Sequence, residues 1–172
     1  MTRLLFQNKY RIPSIRLRKH DYASSGYYFI TICTKNKKCL FGNITNNIMR
    51  LNDIGKIARK HWLEIPNHFP SVILDEFVIM PNHIHGILII KHIETPNLGV
   101  STNTTTCKKI HLGLIINQYK RICTMKIKQN YNFFAWQTRF YDRIIWNNIS
   151  LENTRQYIRN NPYKWYRDRN NF

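Results

Sequence analysis

The stretch Ser71-Val72-Ile73-Leu74-Asp75-Glu76-Phe77-Val78-Ile79-Met80-Pro81-Asn82-His83-Ile84-His85-Gly86-Ile87-Leu88-Ile89-Ile90 holds two apolar, β-branched runs, 71–80 and 84–90. Pro81-Asn82 between them is turn chemistry, so the pair reads as two antiparallel strands joined tightly at the centre of a sheet. In a strand, residues i and i+2 point to the same face, about 6.6 Å apart along the chain. His83 and His85 therefore converge on one side while Ile84 packs on the other. Two imidazoles so placed can hold a metal ion. Two surface histidines arising by chance give the same spacing, so the pair alone leaves both readings open.

Upstream, Tyr27-Tyr28-Phe29-Ile30-Thr31-Ile32-Cys33-Thr34 reads as a buried strand after Ser24-Ser25-Gly26. Phe41 to Met49 suggests a hairpin around Asn46-Asn47. Ile54, Ile57, Ala58, His61 and Trp62 recur at helical spacing behind a cap at Asn52 or Asp53, and that helix should stop before Pro66. Downstream, residues 110–128 carry a second amphipathic pattern. Gln137 to Trp146 reads as a last strand, Asn147-Asn148 as a turn, and Ser150 to Asn160 as a final helix before Pro162. The order predicts an α+β ferredoxin-like sandwich: a central antiparallel sheet with its helices on one face. It predicts one domain over 1–172, with a basic N-terminal arm at 1–20 and a flexible loop at 92–108.

Charge sets the partner. Lys and Arg number 27 against 9 Asp and Glu, a formal net charge of +18 in 172 residues, with a pI near 10.1. Such a surplus calls for a polyanion: nucleic acid, an anionic membrane surface or an acidic protein. No window approaches 18 consecutive apolar residues, and residues 1–21 lack the apolar core of a secretory leader, so no membrane association is expected. Cys33, Cys39, Cys107 and Cys123 show no C-x-x-C spacing and read as thiols of a reducing, cytoplasmic compartment.

On the last helix, Tyr157 and Asn161 are i and i+4 and share a face. Taken alone, a tyrosine there is ordinary packing. Together with the segments before it, it carries a resemblance. Asp21-Tyr22 through Thr34, Cys39-Leu40-Phe41-Gly42, Leu51-Asn52-Asp53-Ile54-Gly55, Val78 to Gly86, Trp136 to Asp142 and Tyr157-Ile158-Arg159-Asn160-Asn161-Pro162 occur in that order. In this the chain resembles the REP-associated tyrosine transposases, single-tyrosine enzymes of the superfamily named for its His-hydrophobic-His motif. The resemblance implies the ferredoxin-like fold already read from element order.

It also implies roles. His83 and His85 would ligate a divalent metal, Mg²⁺ or Mn²⁺, and Asn161 would supply the third ligand where wider relatives often carry Gln. Tyr157 would be the nucleophile that cuts single-stranded DNA at hairpin or palindromic repeats and leaves a 5′-phosphotyrosine. The enzyme would act as a monomer or a homodimer. In this reading no carboxylate is assigned to the metal. Tyrosine has an ordinary pKa near 10 and needs help to attack at neutral pH; a cation that polarises the phosphodiester gives such help. Tyr141 is a second candidate nucleophile, and Asp142 could order the site or pair with an arginine. Lys120 could contact DNA, and Trp136, Trp146 and Trp165 could stack on bases. His20, His61, His68, His92 and His111 lack a partner at useful spacing. The competing readings are a ferredoxin-like module that binds RNA or DNA without catalysis, and a nuclease that uses water.

Overall fold

The computed structural model describes residues 25–91, 110–168, 170 and 171. The expected arm at 1–20 and loop at 92–108, with Asp21-Tyr22, His20, His92 and Cys107, lie outside the described residues. The strands are β1 (Gly26–Cys33), β2 (Gly42–Thr45), β3 (Ile48–Leu51), β4 (Val72–Ile79), β5 (His83–Ile90) and β6 (Tyr141–Ile145). The helices are α1 (Asp53–Leu63), α2 (Ile65–His68), α3 (Leu112–Ile127) and α4 (Asn148–Asn160). The main sheet has the order β4-β5-β1-β6, and every neighbouring pair is antiparallel. With α1 linking β1 to β4 and α3 linking β5 to β6, this is the ferredoxin-like split βαβ arrangement.

Alternation along the strands builds two cores. Tyr28, Ile30, Ile32, Ile84, Leu88 and Ile90 face α1 and α3, together with Ala58, Trp62, Ile115 and Ile116. Phe29, Ile87 and Ile145 face the other way and pack against Leu151 and Ile158 of α4. The two crossover helices thus share one face, so the expectation that the helices lie on one face holds for α1 and α3 and fails for α4. The third helix, α4, covers the opposite face. The physical reason is the odd-numbered set on β1 and β5: it is apolar at Phe29 and Ile87, and needs its own cover. His83 and His85 belong to that set, so the face α4 covers is the face the histidines use.

Local chemistry places the elements. Asn46 and Asn47 take φ of 52° and 61°, the left-handed pair that a two-residue type I′ hairpin needs. The Asn52 side chain accepts from Gly55 N at 3.0 Å and caps α1. Asn147 accepts from Ser150 N at 2.7 Å. What reads as an Asn147-Asn148 turn before a helix at Ser150 is therefore the cap and first residue of α4. The expected last strand is also shorter. Thr31 faces Tyr141 and Thr34 faces Trp136, so three steps along β1 meet five on the partner and the chain bulges out at 138–140. The Lys120 ammonium takes the carbonyls of Gln137 at 2.6 Å and Thr138 at 3.2 Å, which removes Gln137 O and Thr138 O from ladder pairing.

Candidate active site

The histidine pair starts β5, directly after the Pro81-Asn82 connection, and both side chains are fully buried. Their rings stand 4.4 Å apart between centroids. Each is oriented through Nδ1. Asn82 Nδ2 donates to the carbonyls of Lys37 at 3.0 Å and Asn170 at 2.6 Å. That fixes the amide, so Asn82 Oδ1, 2.7 Å from His83 Nδ1, must accept. The His83 proton therefore sits on Nδ1, which in the neutral imidazole leaves the lone pair on Nε2. His85 Nδ1 lies 2.9 Å from Thr31 Oγ1, its cross-strand partner in the β1–β5 register. This Nδ1-held arrangement is how metal-binding histidines are fixed in tautomer and direction.

Tyr157 comes from α4, and its hydroxyl is 3.2 Å from His85 Nε2. The residue is 41% exposed, so a polymeric substrate can reach it. Its ring meets Phe29 edge-on at 6.0 Å. The helix is fastened to β4 by two ion pairs. Asp75 accepts from Arg155 Nε at 2.9 Å and from its guanidinium Nη2 at 2.6 Å; Glu76 Oε1 accepts from Arg159 Nε at 2.9 Å and from its Nη2 at 2.6 Å. Both acids sit where the β4–β5 register shifts, between Leu74 and Phe77. One extra residue there lets two consecutive carboxylates serve the same helix. The Arg155 hydrogen bonds hold the Asp75 carboxyl below its ordinary range.

After α4 the chain turns back over the histidines. Asn161, the residue that closes α4, is 2% exposed. Its Oδ1 is buried with no hydrogen-bond partner among the described residues, which costs about 1–3 kcal/mol unless something else meets it. Trp165 is buried with its ring 6.1 Å from that of His83. Asp168 then arrives: ligand atoms of His83, His85 and Asp168 all lie within 4.8 Å of one another. The sequence reading assigns no carboxylate to the metal, and Asp168 is the residue it misses. Nothing local marks it, since it follows Asn161 by seven residues with no helical or strand spacing to the histidines.

Comparison with known proteins bears on this arrangement. Over 162 residues the chain is 43% identical to an uncharacterized protein of Haemophilus influenzae, covering 90% of each. The chain belongs to the family of that Haemophilus protein. No protein-family model matches it. Among solved structures, the REP-associated tyrosine transposase bound to a REP hairpin superposes with a TM-score of 0.60 at 18% identity, over 88% of this chain and 74% of that one. The likeness is one of fold, and it supports the resemblance carried by the motifs.

The remaining candidates of this family member divide by burial. Tyr141 lies in the α4-side cluster, its ring 6.4 Å from Phe29. Asp142 sits on β6 opposite Ile30. The Lys120 ammonium holds the 137–138 backbone and is partly desolvated, which lowers its pKa; it is a staple between α3 and the bulge. Trp136 donates to Lys120 O at 3.2 Å and packs on Phe41, Tyr119 and Phe134. Of the three tryptophans offered for base stacking, Trp146 is the open one, at 71% exposure. His61 pairs with Glu64 at 2.7 Å, and His111 Nδ1 accepts from Leu114 N at 3.1 Å as the cap of α3.

Proposed function

We propose that this protein is a metal-dependent tyrosine transposase that cuts and rejoins single-stranded DNA at hairpin or palindromic repeats, with Tyr157 as nucleophile. The observation that carries the reading is the Tyr157 hydroxyl at 3.2 Å from Nε2 of His85, a nitrogen whose sister Nδ1 is already engaged by Thr31. A nucleic-acid binder without catalysis needs no buried histidine pair beside a reachable tyrosine.

The residues fit a divalent cation. His83 and His85 offer imidazole nitrogens, and the buried Oδ1 of Asn161, without a hydrogen-bond partner among the described residues, is an oxygen donor of the kind such a site uses. Bound there, Mg²⁺ or Mn²⁺ supplies positive charge that polarises a phosphodiester oxygen, and imidazole ligands favour Mn²⁺. The chain supplies the rest. Tyr157 Oη attacks phosphorus in line, the P–O3′ bond breaks, and the freed 3′ oxygen takes up a proton as the tyrosine loses one. The bond energy stays in the 5′-phosphotyrosine, so the same 3′-hydroxyl, or another, can reverse the step without ATP. Arg155 and Arg159 hold α4 on β4 and so fix where Oη stands. Histidines and tyrosine meet within one chain, so a monomer suffices, acting on DNA in the cytoplasm.

Incubation with a labelled single-stranded hairpin and Mn²⁺, followed by a denaturing gel, tests this. Wild type gives a covalent protein–DNA adduct. Tyr157→Phe gives none and keeps DNA binding. Cleavage without any adduct would point to a nuclease using water, and wild-type cleavage by Tyr157→Phe would remove the nucleophile assignment.

A further inference from the structure

Two neutral imidazoles and a neutral amide leave a divalent cation with its full charge. Hard divalent cations prefer anionic oxygen. One of the chain's few carboxylates stands at this place: Asp168 lies with His83 and His85 in a set whose ligand atoms are all within 4.8 Å of one another. Two donors on one small cation can be no more than about 4.2 Å apart, twice a bond of about 2.1 Å. Neighbouring donors on such an ion stand about 3 Å apart, so each pair has at most about 1.8 Å to close, a distance that side-chain torsions can cover.

We propose that Asp168 is the anionic ligand of the cation site and that Asn82 is the positioning residue that ties the turn carrying it to His83. The proposal rests on the metal-dependent reading above. Two histidines and one carboxylate form a donor set that suits divalent first-row ions and leaves coordination positions open for substrate oxygens. The turn is built for the role. Asp168 Oδ1 accepts from Asn170 N at 2.6 Å, which orients the carboxylate. Asn170 O in turn accepts from Asn82 Nδ2 at 2.6 Å, and Asn82 Oδ1 accepts from His83 Nδ1 at 2.7 Å. One buried amide therefore orients an imidazole with one end and holds the carboxylate's turn with the other. The same amide reaches Lys37 O at 3.0 Å, so three separated segments converge on it.

A cap on the turn would explain the Asn170 contact equally well, and metal binding separates the two roles. Mn²⁺ is titrated calorimetrically into the full chain without DNA. His83→Ala reports whether the histidines bind the ion at all. Asp168→Ala should bind Mn²⁺ about tenfold more weakly or worse. Asp168→Asn, which keeps the shape and the acceptor for Asn170 N but not the charge, should also bind more weakly. Asn82→Ser should lose about 10–100-fold, the usual effect of removing a partner behind a ligating histidine. Thermal melts without metal identify any variant that has failed to fold, and Asp168→Asn then carries the decision. Wild-type Mn²⁺ affinity in Asp168→Asn, with binding lost in His83→Ala and Asn161→Ala, would overturn the proposal and leave the neutral amide as third ligand. Unchanged binding in His83→Ala would instead remove the metal reading itself.

Discussion

Thr31 and Gly86 show how single residues set the site. Thr31 stands opposite His85 across β1 and β5, and its hydroxyl engages Nδ1. Thr31→Val keeps the shape and removes that partner. We expect about 10–100-fold weaker Mn²⁺ binding with a folded protein, measured by the same titration. On the other face of β5, a Cβ at Gly86 would come within 2.4 Å of Trp62 Cζ2. Trp62, on the core face of α1, is fully buried, so it has nowhere to retreat. Gly86→Ala should destabilise the protein by about 1–3 kcal/mol through overpacking, read from chemical denaturation. The glycine after His85 is thus a packing requirement of the opposite core, one residue from the chemistry.

At the scale of elements, α4 is the part whose placement matters most, because it carries Tyr157. Its apolar contacts are few: Leu151 and Ile158 against Phe29, Ile87 and Ile145. The Asp75–Arg155 pair adds a two-pronged, partly buried hold on β4. Asp75→Asn should cost about 1–2 kcal/mol, toward the lower end because Arg155 is about a third exposed. The pH dependence has a definite sign. Asp75 is held below its ordinary value in the folded state, chiefly by its hydrogen bonds from Arg155. The contribution is therefore complete above the ordinary carboxylate range and fades as pH falls through the lowered folded value. Wild type and Asp75→Asn should differ by a constant amount near neutral pH and converge in strong acid, measured by denaturation across pH. A difference that widened in acid would contradict the clamp. If the clamp positions Tyr157, adduct formation should also fall in Asp75→Asn while DNA affinity holds.

Over the whole molecule, most of the acids seen here are spent internally. Asp75, Glu76 and Glu152 pair with Arg155 and Arg159. Asp53 meets Lys56, Glu64 meets Lys60 and His61, and Asp168 stands with the histidines. The net +18 is what remains after all nine acids are counted against 27 Lys and Arg, and it suits a polyanion. If about eight cations meet phosphates of a single strand, log K should fall with log salt at a slope of about −6. Fluorescence anisotropy of a labelled oligonucleotide across a salt series measures it. A slope near zero would mean that the surplus does not carry DNA binding. Among the described residues no helix is long and apolar enough to cross a membrane.

The sequence by itself determined most of the elements, though not all their bounds, and which side chains share a face within each. Strand alternation put His83 and His85 on one face, helical spacing put Tyr157 and Asn161 on another, and Asn46-Asn47 and Asn52 fixed a turn and a cap. All of these are set by neighbours within a few residues, where backbone geometry fixes the period. Only the tertiary structure decided what lies across from them. The bond from Thr31 to His85 spans 54 residues, that from Arg155 to Asp75 spans 80, and that from Asn82 to Asn170 spans 88. Such pairs depend on strand register, on the bulges at 75–76 and 138–140, and on the return of the chain after α4, none of which has a local period. Asp168 is the sharpest case: in sequence it is one acid among basic neighbours, Lys164 and Arg167, and only the closing turn brings its carboxylate to the histidines.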